Sequence, residues 1–519
     1  MIALAMALVT VQQPAAREFG RLATLALDAS RRADLVTLAE LDGQAPREVV
    51  VATHERGQDF ARALEIWRVA AAGAPVRAES IALTPDVVAF AHGDVLAGGG
   101  EELLLFNAGG VFVWRTGVDA RPERILECDF LWQTADPSRV FEWREGLRDL
   151  DGDGLVDLVV PEPGGFVIAL QRRPRVPEAP WGRVSRVRVP LEPDDETVWT
   201  RAKDQGRGVS SSRSNGGFSL GFSAGVDEDG RGGTLVSVEE RVPAPYLLDW
   251  DADRDLDLIV QTSRHLQVWL LQSAGTFSAA PQHSLALPVI EDTARELDAS
   301  YSAHALDLDA DSRADYVVFA GDKRSDDVRT QALSFSAAAV KEGPPLFGAH
   351  GRPSGLLVFG GFISDPVFQD LDGDGFPELS LRAVRPDLID QIRSATSESI
   401  ESDFYVYRNH RGTLSKQPDV VRSRAIPLER FSLTAEFLGD LTGDGLSELF
   451  VRDEPEKLRI LMLRAQGPRD KSTWSLLEKP LWERDVSDKA QVWIGAPAGA
   501  EKSSLFILEG TQLHWVRFG

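Results

Sequence analysis

The sequence is poor in cysteine and in basic residues, and both shortages limit what the protein can be. Its 519 residues include one cysteine, Cys128, so no intramolecular disulfide can form. The apolar setting of this cysteine, ILECDFLW, predicts a buried thiol and not a nucleophile. Lys and Arg number 56 against 80 Asp and Glu, a formal net charge of -24. This charge argues against nucleic acid or an anionic membrane as partner, because both are bound through Lys and Arg.

Long apolar runs are also absent. No segment approaches the roughly 18 apolar residues of a membrane-spanning helix. The N-terminal run from Ile2 to Val9 is shorter and is followed by small residues that suit a signal peptidase, although no Lys or Arg precedes it. Residues 1–18 are therefore a candidate signal peptide, with a disordered N-terminus or a first strand as the alternatives. We accordingly expect an exported protein, located in a periplasm, at a cell surface or outside the cell.

What the sequence has in abundance is one acidic nonapeptide, which occurs five times. We name the five copies acidic loops 1 to 5: DLDGDGLVD at 149–157, DWDADRDLD at 249–257, DLDADSRAD at 307–315, DLDGDGFPE at 370–378 and DLTGDGLSE at 440–448. An acidic residue closes every copy at position nine, and the apolar residues of a predicted buried strand follow it. Weaker echoes occur around Asp28 to Asp34, from Glu40 and from Asp94.

The spacing of these loops predicts the fold. Loop starts at 40, 94, 149, 249, 307, 370 and 440 imply a repeat too long for a TPR or leucine-rich array and suited to a four-stranded propeller blade. Each repeat reads as four strands, with the acidic loop between the first two. Three C-terminal strands and one N-terminal strand, FGRLATLAL, can complete one blade. We therefore predict an all-β, single-domain propeller over 19–519, with eight blades and with seven as the alternative.

Two segments exceed the repeat length. Residues 199–240 are rich in Gly, Ser and Arg and predict a mobile loop. Residues 383–403 place Leu388, Ile389 and Ile392 at helical spacing and predict a short helix on a connecting loop.

The composition of the acidic loops is typical of calcium ligands. Calcium takes six to eight oxygens, and short Asp side chains on a tight turn can supply them, with Gly152 and Gly154 allowing the turn in acidic loop 1. The predicted ligands, for about five structural ions, are Asp149, Asp151, Asp153, the Leu155 carbonyl and Asp157; Asp249, Asp251, Asp253, the Asp255 carbonyl and Asp257; Asp307, Asp309, Asp311, the Arg313 carbonyl and Asp315; Asp370, Asp372, Asp374, the Phe376 carbonyl and Glu378; and Asp440, Thr442, Asp444, the Leu446 carbonyl and Glu448. Because Thr442 replaces a carboxylate, we expect acidic loop 5 to be the weakest site. The alternative for every loop is an acidic hairpin turn that binds only water.

These loops are not EF-hands. An EF-hand needs a bidentate Glu at position twelve, where this chain has only apolar strand residues, namely Val160, Val260, Val318, Leu381 and Val451. The loops instead resemble the FG-GAP or VCBS repeats, whose best-known relatives are the propellers of integrin alpha subunits. FGGF at Phe359 to Phe362 and IGAP at Ile494 to Pro497 are similar to fragments of the motif that names the family. The resemblance implies a β-propeller, structural calcium, and roles in adhesion or ligand binding.

The sequence identifies no catalytic residue. GFSAG at 221–225 matches the G-x-S-x-G elbow around Ser223, but it lies in a Gly/Ser-rich insertion and not between a strand and a helix. We therefore predict a binding or surface-interaction module, adhesion-like, with an unidentified protein or glycan ligand. Two alternatives stay open: a propeller enzyme with a site in its central channel, similar to polysaccharide lyases or quinone-dependent dehydrogenases, and a structural scaffold.

Overall fold

The structure is a computed structural model that places most of the chain. It describes residues 19–44, 46–57, 61–68, 75–115, 121–130, 140–144, 146–162, 164–173, 180–190, 217–226, 232–241, 245–262, 265–286, 300–322, 329–336, 353–384, 399–427, 435–467, 472–495 and 502–518. These residues form 37 β-strands, and none of them is helical. A bilayer-spanning helix is accordingly not found in this part of the chain.

The strands follow one another along the chain with short connections. The first group is β1 (Arg21–Ala26), β2 (Arg31–Ala39), β3 (Glu48–Glu55), β4 (Arg62–Arg68), β5 (Val76–Leu83), β6 (Ala89–Gly93), β7 (Glu102–Asn107), β8 (Gly110–Trp114), β9 (Glu123–Leu126), β10 (Phe141–Glu142), β11 (Leu147–Arg148), β12 (Asp157–Glu162), β13 (Gly165–Gln171) and β14 (Trp181–Arg188). The second is β15 (Gly217–Val226), β16 (Gly232–Arg241), β17 (Pro245–Leu248), β18 (Asp257–Gln261), β19 (His265–Trp269), β20 (His283–Ala286), β21 (Ser300–Leu306), β22 (Asp315–Asp322), β23 (Arg329–Phe335) and β24 (Gly355–Gly360). The third is β25 (Phe362–Gln369), β26 (Glu378–Val384), β27 (Ser399–Tyr407), β28 (Val420–Pro427), β29 (Ala435–Phe437), β30 (Leu449–Glu454), β31 (Lys457–Leu461), β32 (Leu463–Gln466), β33 (Thr473–Leu476), β34 (Trp482–Asp485), β35 (Gln491–Gly495), β36 (Ser504–Glu509) and β37 (Gln512–Arg517).

These strands build eight antiparallel blades of four strands each. In chain order the blades are blade 1 (β2 to β5), blade 2 (β6 to β9), blade 3 (β11 to β14), blade 4 (β17 to β20), blade 5 (β21 to β24), blade 6 (β25 to β28), blade 7 (β29, β30, β31 and β34) and blade 8 (β35, β36, β37 and β1). The protein is therefore an eight-bladed β-propeller, as predicted, and the seven-bladed alternative is wrong.

Blade 8 closes the ring by joining the two ends of the chain. β1 pairs antiparallel with β37, from Arg21 opposite Arg517 to Ala26 opposite Gln512. Apolar side chains of this blade, such as Phe506 and Trp515, share one buried cluster with residues of blade 1. The pairing removes the free sheet edges that an open array would leave, which is the reason the terminal fragments were expected to complete one another.

The core lies between the faces of neighbouring blades. The central strands are buried on both faces and so read as apolar runs, as in LVVP of β12 and VIAL of β13. The fourth strands alternate between exposed and buried side chains, as β14 does, because only one of their faces packs on a neighbour. First strands of adjacent blades contact each other, for example β17 and β21, which places them around the central axis.

Three structural details differ from the expectations. Part of 199–240 is an antiparallel hairpin of β15 and β16 and not a loop. Ser223 lies within β15, opposite Leu235, and not at a turn from a strand to a helix, so it is not the nucleophile of a hydrolase elbow. The echo around Asp28 to Asp34 joins β1 of blade 8 to β2 of blade 1, so it is not equivalent to the acidic loops. Blade 2 carries a fifth strand, β10, which pairs parallel with β6. The predicted helix around Leu388 to Ile392 lies outside the described residues.

Candidate metal centres

Each acidic loop connects the first and second strands of one blade. Acidic loops 1 to 5 belong to blades 3 to 7 in that order. Position one follows the first strand, and position nine begins or immediately precedes the second strand, as Asp157 and Glu448 illustrate. The same connection in blades 1 and 2 is made by residues 40–48 and 94–102. The repeated register thus gives seven of the blades an equivalent loop.

The five acidic loops share one backbone conformation. Positions four and six have positive φ in all of them, with Gly152 at 67° and Gly154 at 82° in acidic loop 1. Acidic loops 2 and 3 hold the same conformation without glycine, at Ala252 (68°), Arg254 (80°), Ala310 (55°) and Ser312 (65°). A left-handed conformation disfavours a residue with a Cβ by about 1–2 kcal/mol. These loops therefore keep the common shape against the preference of their own residues.

Carboxylates hold that shape through hydrogen bonds from the loop backbone. The position-one carboxylate accepts the position-six N–H at 2.8–2.9 Å in every acidic loop, from Gly154, Arg254, Ser312, Gly375 and Gly445. The position-five carboxylate accepts the position-seven N–H at 2.8–3.0 Å, from Leu155, Asp255, Arg313, Phe376 and Leu446. Such bonds fix the carboxylates close together in a turn only nine residues long.

Three carboxylates of each loop come together so that one oxygen of each lies within 4.8 Å of the others. The groups are Asp149, Asp151 and Asp157; Asp249, Asp251 and Asp257; Asp307, Asp309 and Asp311; Asp370, Asp372 and Asp374; and Asp440, Asp444 and Glu448. Of the predicted carboxylate ligands, Asp153, Asp253, Asp315 and Glu378 lie outside these groups. The ligand role of every predicted residue, including those four, Thr442 and the position-seven carbonyls, remains a prediction.

Two observations test whether a hard cation fits. The Oδ1 atoms of Asp149 and Asp309 are buried and accept no hydrogen bond from any described residue. Burial, followed by the charges of the neighbouring carboxylates, raises the pKa of Asp151 and of Asp251. Crowded carboxylates with unused oxygens form a donor set made only of oxygen, which is what calcium prefers. The residues present therefore fit a calcium ion.

The position-nine carboxylate has a second role that the sequence did not reveal. Asp157 accepts the N–H of Leu150, at position two, on Oδ2 and the N–H of Gln171, at the end of β13, on Oδ1, both at 2.8 Å. Asp257 makes the equivalent pair of bonds with Trp250 and Leu271. Position nine thus fastens the loop to the third strand of its own blade.

Burial dominates the electrostatics of position nine. Although backbone hydrogen bonds act in the opposite direction, desolvation raises the pKa of Asp157, Asp257 and Glu448 to about 7 and that of Glu378 to about 8. A carboxyl group whose charged form is costly to bury thus occupies position nine in acidic loops 1, 2, 4 and 5.

The same bond occurs in the two loops that have lost most of their acids. Glu48 accepts the Leu41 N–H at 2.9 Å, and Glu102 accepts the N–H groups of Val95 and Leu96 at 3.0 and 3.1 Å. Both residues stand at position nine of their loops. Blades 1 and 2 keep the acid at position nine, although neither loop has acids at both position three and position five. The acid at position nine therefore has a structural role that does not depend on a bound ion. The sequence did contain a signal for this role, because Glu48 and Glu102 follow Glu40 and Asp94 by the same eight residues that separate positions one and nine of the acidic loops.

Hydrogen bonds also link each loop to the following blade. In every case a carbonyl at position one or two of the loop accepts a bond at 2.7–3.1 Å from the next blade. The pairs, from blade 1 to blade 8, are Glu40 with Glu101 N, Asp94 with Gln171 Nε2, Leu150 with Leu256 N, Asp249 with Ala314 N, Leu308 with Asn409 Nδ2, Leu371 with Ser447 N, and Leu441 with Lys502 Nζ. These bonds consequently tie the loop of each blade, from blade 1 to blade 7, to the blade that follows it.

A separate cluster of half-buried charges surrounds β6 and β10 of blade 2. His92 of β6 contacts Glu101 through Nδ1 at 2.6 Å and Glu142 of β10 through Nε2 at 3.3 Å. Arg144 lies 2.7 Å from Glu142, and Arg47 lies 4.0 Å from Glu101. Burial alone would lower the pKa of His92, but the two carboxylates outweigh it and raise the pKa to about 9. The cluster is a set of mutually compensating charges that ties β10 to blade 2.

Cys128 agrees with its predicted role. The thiol is buried in the cluster that contains Phe106 and Phe130, and burial raises its pKa to about 12. A thiol in this state is not a nucleophile at neutral pH.

The fold and the loops define an eight-bladed β-propeller that carries an acidic loop in five of its blades. Residues 249–318, which contain acidic loops 2 and 3, match the FG-GAP-like repeat family. This match confirms the resemblance inferred from the loops. No curated protein matches the chain in sequence.

Several solved structures are similar over most of the chain. One is an Agrocybe aegerita lectin described as recognising non-reducing terminal N-acetylglucosamine, with 14% identity, a TM-score of 0.40, and coverage of 94% of this chain and 99% of that one. Another is Sqt1 from Chaetomium thermophilum, with 12% identity, a TM-score of 0.36, and coverage of 96% and 100%. A third is BBS1N in complex with ARL6DN, with 10% identity, a TM-score of 0.30, and coverage of 95% and 93%. At these values none of them indicates what this chain binds.

Proposed function

We propose that this protein is an exported, calcium-stabilised β-propeller that serves as a binding or surface-interaction module for a protein or glycan ligand. The observation that carries the calcium part is the grouping of three carboxylates within 4.8 Å in each of five equivalent loops. In this proposal the carboxylates named above hold the ions, and the bound calcium supplies positive charge that offsets their mutual repulsion.

Two features favour an ion over water in these loops. Four residues other than glycine hold a left-handed conformation at Ala252, Arg254, Ala310 and Ser312, which a turn selected only for solvation would not need. The unused buried oxygens of Asp149 and Asp309 would also remain unsatisfied without a ligand. Both observations support a loop whose conformation is selected to hold carboxylate oxygens at the positions of metal ligands.

Export follows from the calcium requirement and from the N-terminal run Ile2 to Val9. A calcium site outside the cell can work at a dissociation constant of about 10⁻⁴ to 10⁻³ M, whereas cytosolic calcium would leave such a site empty. The binding role rests on the propeller, whose loops are held by hydrogen bonds to neighbouring blades and offer a fixed surface at one end of the ring. Because fold does not by itself name a ligand, the ligand class is the part of the proposal that most needs a direct test.

The calcium part is tested by thermal unfolding and by calorimetric titration of the protein. Calcium should raise the melting temperature above that in a chelator, and titration should saturate near five ions, because binding to the folded state alone stabilises it. Asp151→Asn should remove one site and leave the others. Asp28→Asn is the matched control, since Asp28 forms an exposed turn outside the acidic loops by accepting the Ser30 N–H. Identical melting curves with calcium and with chelator would refute the proposal.

The binding and export parts need separate measurements. Calcium-loaded protein should be retained on some members of a panel of immobilised glycans or surface proteins, and chelation should weaken that retention. Expression of the full chain in a bacterial host, followed by fractionation and N-terminal sequencing, should find the protein outside the cytoplasm. Retention on no member of either panel would contradict a binding role, and a cytoplasmic product would contradict export.

A further inference from the structure

A buried protein cation lies against acidic loop 4. Nη2 of Arg408, the residue after β27, lies 3.7 Å from Oδ2 of Asp372 at position three. The two side chains are only 5% and 6% exposed. Acidic loop 1 also pairs with an arginine, since Arg173 lies 3.5 Å from Asp153, but that arginine is 65% exposed and can turn into solvent. The ion pair of acidic loop 4, by contrast, lies inside the protein.

Contacts with blade 7 hold Arg408 in place. Nη1 donates to the carbonyl oxygen and to Oγ of Ser472, both at 3.1 Å. The guanidinium carbon also lies 4.6 Å from the ring centre of Trp474, which is a cation–π contact. Ser472 and Trp474 belong to the β32–β33 hairpin, which is inserted between the third and fourth strands of blade 7. The guanidinium therefore cannot leave Asp372 without breaking an interblade contact.

We propose that Arg408 sets the calcium affinity of acidic loop 4 and makes it bind more weakly than acidic loops 1 to 3. This inference rests on the proposed calcium function of the loops. The guanidinium already neutralises part of the charge of Asp372, and it repels a second cation that approaches the same carboxylates. The sequence predicted a full set of four carboxylates for this loop and thus an ordinary site, whereas the structure adds a fixed positive charge.

The expected size of the effect follows from Coulomb's law. The repulsion between the guanidinium and a cation held by the same carboxylates weakens with their separation and with solvent screening, and both side chains of the Arg408–Asp372 pair are shielded from solvent. A tenfold change in a dissociation constant corresponds to about 1.4 kcal/mol, a size that a partly screened charge a few ångströms away can supply. We therefore expect removal of the Arg408 charge to lower the dissociation constant of one site by about tenfold.

The test compares Arg408→Gln with wild type by calorimetric calcium titration and by thermal unfolding with and without calcium. Arg424→Gln is the matched control: it removes the same charge from the same blade, but Arg424 is 41% exposed and pairs with Glu478 at 3.3 Å, away from the loops. In Arg408→Gln one site should tighten about tenfold, and the calcium-induced rise in melting temperature should exceed that of wild type. The control should change neither. A purely structural role for Arg408 would lower both melting temperatures equally.

A double substitution assigns the effect to acidic loop 4. Asp372→Asn should abolish the gain that Arg408→Gln produces, because the two groups act on the same ion. If Arg408→Gln does not fold, Arg408→Met keeps an unbranched chain on Trp474 and removes the charge, and it should show the same gain. Unchanged affinities in a variant that folds and binds calcium would overturn the inference. Absence of calcium binding in wild type would instead refute the proposed function, so the two failures can be told apart.

Discussion

The hydrogen bonds that the position-nine acid accepts from its own loop can be tested in blade 2, where the loop is not one of the predicted metal sites. Glu102 is 7% exposed, and its Oε2 accepts the N–H groups of Val95 at 3.0 Å and Leu96 at 3.1 Å, both of them buried residues. Glu102→Ala leaves these two N–H groups without their acceptor, at about 1–3 kcal/mol each. Burial raises the pKa of Glu102, so the cost of desolvating its carboxylate offsets part of that loss. We therefore expect a net destabilisation of about 3 kcal/mol.

Differential scanning calorimetry can measure this loss. With an unfolding entropy of roughly 2.1 cal/mol/K per residue, about 3 kcal/mol in a chain of this length lowers the melting temperature by about 3 °C. The fall should be the same in calcium and in chelator, because residues 94–102 lack acids at positions three and five. Glu127→Ala is the control, since Glu127 is 81% exposed in the same blade. An unchanged melting temperature, or a loss seen only in calcium, would refute the assignment of position nine to the fold.

Two further predictions concern His92 and Thr442. The pKa of His92 is about 9 in the folded protein and about 6.5 when unfolded, so its stabilising charge is complete below pH 6.5 and is lost as pH rises through 9. Melting temperatures measured from pH 6 to 9.5 should consequently fall less in His92→Gln than in wild type, and parallel profiles would contradict this. Thr442→Asp restores the fourth carboxylate of acidic loop 5, so calorimetric titration should find one tighter site. An unchanged fifth site would mean that position three of this loop does not reach the ion.

The architecture could be predicted because it depends on local patterns that repeat. The loop starts gave the blade length, and the apolar segments at both chain ends showed how the ring closes. Strand β10 escaped prediction because a strand of two residues, Phe141 and Glu142, is too short to show a hydrophobic period, and its contact with His92 of β6 joins residues about 50 positions apart in the chain. The β15–β16 hairpin escaped because its Gly- and Ser-rich composition resembles that of a loop.

The candidate sites were predictable only in their side-chain chemistry. The sequence identified which residues carry oxygen at the right spacing, and the structure groups three of them in each loop. It could not identify Arg408 as a neighbour of Asp372, since the third strand of a blade lies far along the chain from its first loop. Nor could it show that an acid at position nine accepts backbone N–H groups of its own blade, because those contacts form only in the folded loop.

Blades 1 and 2 show which contacts of the loops do not depend on a metal. Their loops keep the position-nine bonds of Glu48 and Glu102, and they keep the hydrogen bonds to the next blade through the carbonyls of Glu40 and Asp94. Neither set of bonds needs a cation, yet both recur in the blades that carry acidic loops. The propeller is therefore held together by contacts that do not need a metal. Calcium in the proposed sites would act locally, by offsetting the repulsion between the carboxylates of each acidic loop. Chelation should accordingly lower the melting temperature while leaving the β-sheet content of the protein unchanged at room temperature.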